Sequence, residues 1–245
     1  MRRLTLVFSL LATVATIGAS SAAGSHSWGD YHWARTANPF TLTLGDNMTS
    51  DWDPYLSEAS SDWSRSSVLD TTIVPGGTTG KKCRATTGRV EVCNAPYGFR
   101  GWIGLAQIWI SGSHITKALA KMNDSYFNTP AYNKPEAKQS VLCQEVGHDF
   151  GLDHQSEDPK VDMDTCMDYF EGWNQDPNAH DYEQLELIYA HLDSTTTVFA
   201  SVASDARVEH VEREDRIKDS IIVEQLSDGS KRVTHILWAL PGAPH

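Results

Sequence analysis

The sequence predicts an α+β fold, and three observations carry that prediction. Segments that alternate or run apolar in short stretches, as strands do, stand at Phe40 to Leu44, Val68 to Val74, Gly88 to Asn94 and Leu105 to Ile110. Trp52, Tyr55, Leu56, Ala59 and Trp63 recur at helical spacing, the pattern of an amphipathic helix packed on a sheet. The chain has 245 residues, 40 % of them hydrophobic, enough to bury the core of one domain.

Taken in order, Met1 to Ala23 reads as a secretory signal, with Arg2 and Arg3, an apolar run from Leu4 to Ile17, and small residues ending in Ser21-Ala22-Ala23. The apolar run is too short to span a bilayer comfortably. Gly24 to Pro39 is aperiodic and reads as an extended N-terminal arm. The strand at Phe40 to Leu44 leads into turn chemistry at Asp46 to Ser50, and Ser50 or Asp51 can cap a helix running to about Arg65. Val68 to Val74 ends at Pro75-Gly76-Gly77. A phosphate-loop reading of Gly76 to Lys82 fails, because Pro75 stands where the first glycine is needed and Lys82 where a Ser or Thr is needed.

Leu105 to Ile110 is followed by the turn Ser111-Gly112-Ser113, and Ile115 to Met122 is ambiguous between strand and short helix. His114, with no partner at metal spacing in the sequence, reads as a hydrogen-bonded structural residue. Pro135 and Glu136 open a helix carrying Ala137, Val141, Leu142 and Val146. Residues Gln155 to Thr165 form an acidic irregular loop. Asp181 can cap a last helix whose apolar face is Leu185, Leu187, Ile188, Ala190 and Leu192, with His180 and His191 as surface or cap residues. Arg207 to Lys218 is a mixed-charge run, usually a solvated face or linker. Ile221 to Leu226, Ser227 to Ser230 and Val233 to Leu240 read as a β-hairpin. The expected organisation is a signal over 1–23, an arm over 24–39, a principal domain over 40–194 and a C-terminal extension over 195–245.

The formal net charge is −12, and loss of Arg2 and Arg3 with the signal makes it more negative. That excludes nucleic acid and anionic membrane as expected partners, since both demand a basic face. It suits a soluble, secreted, extracellular protein. The chain has four cysteines, an even count that suggests two disulfides in an oxidising compartment, with three pairings open from sequence alone.

The stretch with most chemistry is Cys143-Gln-Glu-Val-Gly-His-Asp-Phe-Gly-Leu-Asp-His154, followed by Cys166-Met-Asp-Tyr169. Helix positions four apart lie on one face, so Gln144 and His148 can point at one ion, with Glu145 close by to serve its water. Gly151 permits a positive φ and a turn that swings His154 back toward the same point. The stretch resembles the metzincin pattern of zinc peptidases, H-E-x-x-H-x-x-G-x-x-H with a downstream Met-turn, apart from Gln144 at the first ligand position.

The resemblance covers about Phe40 to Leu192 and implies an α/β/α-like zincin arrangement: a mixed twisted sheet with an active-site helix, a Met-turn and a C-terminal helix. It further implies a zinc endopeptidase acting on a peptide or protein substrate as a monomer. His148 and His154 would be metal ligands with Gln144, Glu145 the general base, Tyr169 a donor to the oxyanion, and Gly151 and Met167 structural. The strand Leu105-Ala106-Gln107-Ile108-Trp109-Ile110 would be the sheet edge to which substrate adds. The pairing expected on this basis is Cys83–Cys93, closing a short loop, and Cys143–Cys166, tying the helix to the Met-turn. Glutamine offers zinc only a neutral amide oxygen. Three outcomes stay open: weak coordination by Gln144, a water in its place, or a metal-poor site and a secreted peptide- or protein-binding module.

Overall fold

The computed structural model describes residues 25–199, 208–213 and 220–244. The expected export signal and half of the mixed-charge run therefore lie outside the described residues. The fold is α+β, with a nine-stranded mixed sheet and a few helices. Strand β1 is His32–Trp33, β2 Phe40–Asn47, β3 Leu69–Pro75, β4 Val90–Ala95, β5 Trp102–Ser111, β6 His114–Asn123, β7 Val208–Arg213, β8 Ile221–Leu226 and β9 Lys231–Trp238. The sheet order is β3-β2-β4-β6-β5-β9-β8-β7, with β1 pairing β6 off this path. Pairs from β3 to β6 are parallel, and those from β6 through β5, β9 and β8 to β7 are antiparallel.

The parallel half needs crossovers, and helix α1 (Asp53–Trp63) connects β2 to β3. It begins with no side-chain cap, so neither Ser50 nor Asp51 plays the expected part. The ambiguous stretch after His114 is β6, a central strand whose Ala118, Leu119, Ala120 and Met122 are fully buried. A single-turn helix α2 (Asp124–Phe127) follows it. Helix α3 (Pro135–His148) starts at the predicted proline with Glu136 in its first turn, and packs against α1, β5 and β6. Helix α4 (Ala179–Ile188) is capped by Asn178, with Asp181 as the reciprocal member of a capping box. Its expected apolar face is only partly used: Leu185 is buried, while Leu187 and Leu192 are exposed.

The C-terminal hairpin is the largest departure from expectation. Strand β9 lies along β5, with Leu105 opposite Ile236, Ala106 opposite His235, Gln107 opposite Thr234 and Ile108 opposite Val233. The predicted substrate edge, Leu105 to Ile110, is therefore an interior strand, hydrogen-bonded to β6 on one side and β9 on the other. The reason is ordinary sheet physics: an exposed apolar edge is a template for another strand, and the chain supplies one itself. The N-terminal arm is equally integrated. Trp28 N donates to Gly151 O (3.0 Å), Asp153 N donates to His26 O (2.6 Å), and Trp28 and Trp33 are buried.

Both expected disulfides are present, Cys83–Cys93 and Cys143–Cys166. No described helix is long and apolar enough to cross a membrane.

Candidate metal centre

Helix α3 delivers Glu145 and His148 on one face, as their three-residue spacing requires, and both are fully buried. The chain then leaves the helix through Gly151, at φ +97°, where a Cβ would stand 2.4 Å from the Tyr31 carbonyl oxygen. Only glycine satisfies both constraints. The turn brings His154 back so that its Nε2 lies 3.1 Å from His148 Nε2, the rings edge to face. His148 Nδ1 meets Leu152 O at 2.9 Å. A carbonyl only accepts, so that nitrogen carries the proton and Nε2 presents its lone pair. Burial pushes the His148 imidazole well below its ordinary pKa, and the nearby His154 adds to the effect. The neutral, ligating form is the favoured one.

The third imidazole is His235, from the middle of β9. His148, His154 and His235 are all buried, and each can place one ring nitrogen within 4.8 Å of the others. Ring centroids of His235 lie 4.0 Å from His148 and 4.4 Å from His154. Two nitrogens bound to one zinc at about 2.0–2.1 Å stand roughly 3.3 Å apart in a tetrahedron, close to the 3.1 Å between His148 and His154. The donors fit the ion.

The other predicted residues surround this cluster in different ways. Tyr169 packs its ring 4.2 Å from that of His154, and its hydroxyl lies 3.2 Å from His235 Nε2. Burial raises its pKa, so it stays a neutral phenol able to donate. Met167 is fully buried beneath α3, where its Sδ would lie 2.5 Å from a Cβ at Gly147. Gln144 Nε2 donates to Asp168 O at 2.8 Å, next to the Cys143–Cys166 bridge, so adjacent residues of α3 are tied to the Met-turn twice. Gln144 Oε1 is buried with no hydrogen-bond partner among the described residues.

Glu145 is packed against β5 at Gly104, where a Cβ would stand 2.2 Å from Glu145 Oε1. A larger residue at 104 would displace the carboxyl. Neither carboxylate oxygen has a hydrogen-bond partner among the described residues, and burial pushes the pKa well above the usual range. Asp149, one turn on, is raised in the same way by burial and then by Glu145. An orphaned buried carboxyl costs stability, which a fold keeps only where the group has another use. Trp28 closes the centre, stacked on His148 at 5.2 Å with rings 6° from parallel and on His235 at 5.8 Å.

Sequence reasoning placed His148 and His154 by helix and turn geometry but missed His235. The available signal was a lone histidine in the apolar run Val233 to Trp238, which strand patterning reads as core.

No protein-family model matches the sequence, and no curated protein matches it. Among solved structures, the chain is similar to one of myroilysin, with a TM-score of 0.38 and 13 % identity over 64 % of this chain and 96 % of that chain. That similarity is too loose to carry residues from one chain to the other.

Proposed function

We propose that this chain is a secreted, zinc-dependent hydrolase of the peptidase type, in which His148, His154 and His235 hold the metal and Glu145 is the general base. The observation that supports it most is the convergence of three buried imidazoles, one of them three residues along helix α3 from a buried carboxyl with no hydrogen-bond partner among the described residues. The sequence resemblance to metzincins supplies the reaction class. His235 makes up for the imidazole absent at Gln144, and three protein ligands leave a tetrahedral ion one position for water or substrate. Zinc in such a site supplies Lewis acidity and lowers the pKa of water from 15.7 toward about 7.

The chain's own groups perform the remaining tasks. Glu145, with its raised proton affinity, takes a proton from the attacking water and returns it to the leaving amine. Tyr169, a neutral donor next to the cluster, hydrogen-bonds the oxyanion as the carbonyl becomes tetrahedral. Trp28 excludes solvent from one side. A cavity of about 250 Å³ is lined in part by Ser140, Gln144, Tyr169, Trp173, Ser220 and Leu237, with Tyr169 standing between it and His154; the three histidines and Glu145 do not line it. The substrate is a peptide or protein, and the acting species is a monomer.

A second reading is favoured by one observation, the pairing of β9 along β5 where substrate was expected to add. On that reading the hairpin is a built-in occupant of the groove, and His235 a plug rather than a constitutive ligand. Comparing peptide hydrolysis by the wild-type chain and H235A with zinc supplied separates the two. The proposed function expects H235A to lose activity together with zinc affinity. Increased activity in H235A would establish the plug. Absence of hydrolysis in folded, zinc-loaded wild type would leave a peptide- or protein-binding module.

A further inference from the structure

A second set of histidines, sharing no residue with the first, gathers where the N-terminal arm meets the sheet. Pairing of β1 with β6 places His32 beside His114. The chain after α4 brings in His191 and Asp193, held by Asp193 N donating to Arg35 O at 2.9 Å. Three imidazole Nε2 atoms then converge on one carboxylate oxygen, Asp193 Oδ1: His32 at 3.5 Å, His114 at 3.1 Å and His191 at 3.7 Å. His32 Nε2 and His191 Nε2 are 3.1 Å apart.

The distances from Asp193 Oδ1 to His32 and His114 lie near the roughly 3.3 Å edge of a tetrahedron with metal–nitrogen bonds of about 2.0–2.1 Å. One donor atom from each of these three residues lies within 4.8 Å of the other two, while His191 stands beside His32 outside that set. The supporting contacts are those a metal site uses. His32 Nδ1 lies 2.6 Å from Asp30 O, a carbonyl that only accepts, so Nδ1 carries a proton and Nε2 faces the cluster. Asp193 Oδ2 accepts from Arg35 N at 3.1 Å and from Arg35 Nη1 at 2.8 Å, so the carboxylate is oriented through one oxygen while the other faces the imidazoles.

We propose that His32, His114 and Asp193 bind a divalent transition-metal ion, with zinc a good fit to two imidazoles and one carboxylate. The donors come from three separate stretches of the chain, so the role of the site is to hold them together. It clamps the N-terminal arm to the β5–β6 turn and to the end of α4.

The test is the zinc content of the full-length chain, stripped with chelator, reloaded and freed of loosely held ion. Wild type is compared with H114A/H191A, whose side chains are partly exposed (34 % and 54 %), and with H148A/H154A. H114A/H191A is expected to hold one zinc fewer per chain than wild type, whatever the wild-type number, and to keep its peptide hydrolysis. H148A/H154A is expected to retain the ion that H114A/H191A loses. This difference stands or falls independently of the catalytic reading. Equal zinc content in wild type and H114A/H191A overturns the proposal. Should the double variant not fold, zinc titration of H114A alone replaces it. Affinity weakened by more than about 10-fold supports the site, and unchanged affinity overturns it.

Discussion

The two histidine clusters of this protein use the same side chains to opposite ends. At His148, His154 and His235 all three imidazoles are buried, Tyr169 lies against them, and the helix that bears His148 also carries a buried carboxyl with no hydrogen-bond partner among the described residues. At His32, His114 and Asp193 two imidazoles meet a carboxylate engaged by Arg35, with His191 beside His32, and His114 and His191 are partly exposed. A dry, all-imidazole set suits chemistry on a bound ion, whereas a set near the surface whose carboxylate is tied to Arg35 suits cohesion. Burial and the state of the neighbouring carboxylate, more than the number of histidines, distinguish a working centre from a clamp.

Changes at the first cluster should cost catalysis, and changes at the second should cost cohesion. The largest effect is expected from E145Q. Peptide hydrolysis should fall by roughly 10²–10⁴-fold, the usual share of a general base, with zinc content unchanged in the same preparation. Y169F should lower kcat by about 10²–10³-fold, the loss of one oxyanion donor, measured by steady-state kinetics with little change in KM. G104A should act through Glu145. The added Cβ would meet Oε1 at 2.2 Å, so hydrolysis falls while zinc content and Tyr169 are untouched.

Smaller effects belong to stability. H114A/H191A should remove most of the zinc-induced rise in Tm, read by calorimetry with and without chelator. The acidic group Glu58, Asp62 and Asp176 is a control without imidazole, expected to respond to pH more than to zinc. Asp62 is pushed up to about 6 by burial and then by Asp176. The folded chain thus holds a proton that the unfolded chain releases near pH 3.9. Its stabilising contribution is complete below about pH 4 and is lost as pH rises through 6. D62N should flatten that decline, a shift of a few degrees at most in a Tm–pH profile.

The same contrast explains what could be read from the sequence. His148 and His154 are close in sequence, and one helix plus one glycine turn determines their meeting, so local rules suffice. The start of α3 and the α+β class were legible for the same reason, whereas the cysteine pairing, open from sequence alone, followed only from the resemblance. His235 reaches the centre only because β9 adds to β5, a long-range pairing that no local period encodes. That pairing also made Leu105 to Ile110 an interior strand instead of an edge. The second cluster was the least visible: His114 looked solitary and His191 superficial, because their partners come from the other end of the chain through β1 and the Arg35–Asp193 contact. The cap of α4 was misassigned by three positions, since Asn178 and Asp181 both carry capping chemistry and only their reciprocal bonds decide between them.

The most direct measurement is an anomalous-scattering map at the zinc edge from crystals of the zinc-loaded, full-length chain. A peak is expected within bonding distance of His148, His154 and His235, with Gln144 still donating to Asp168, and a second peak between His32, His114 and Asp193. A single peak bound by His148, His154 and the Gln144 amide oxygen, with His235 elsewhere, would contradict this expectation.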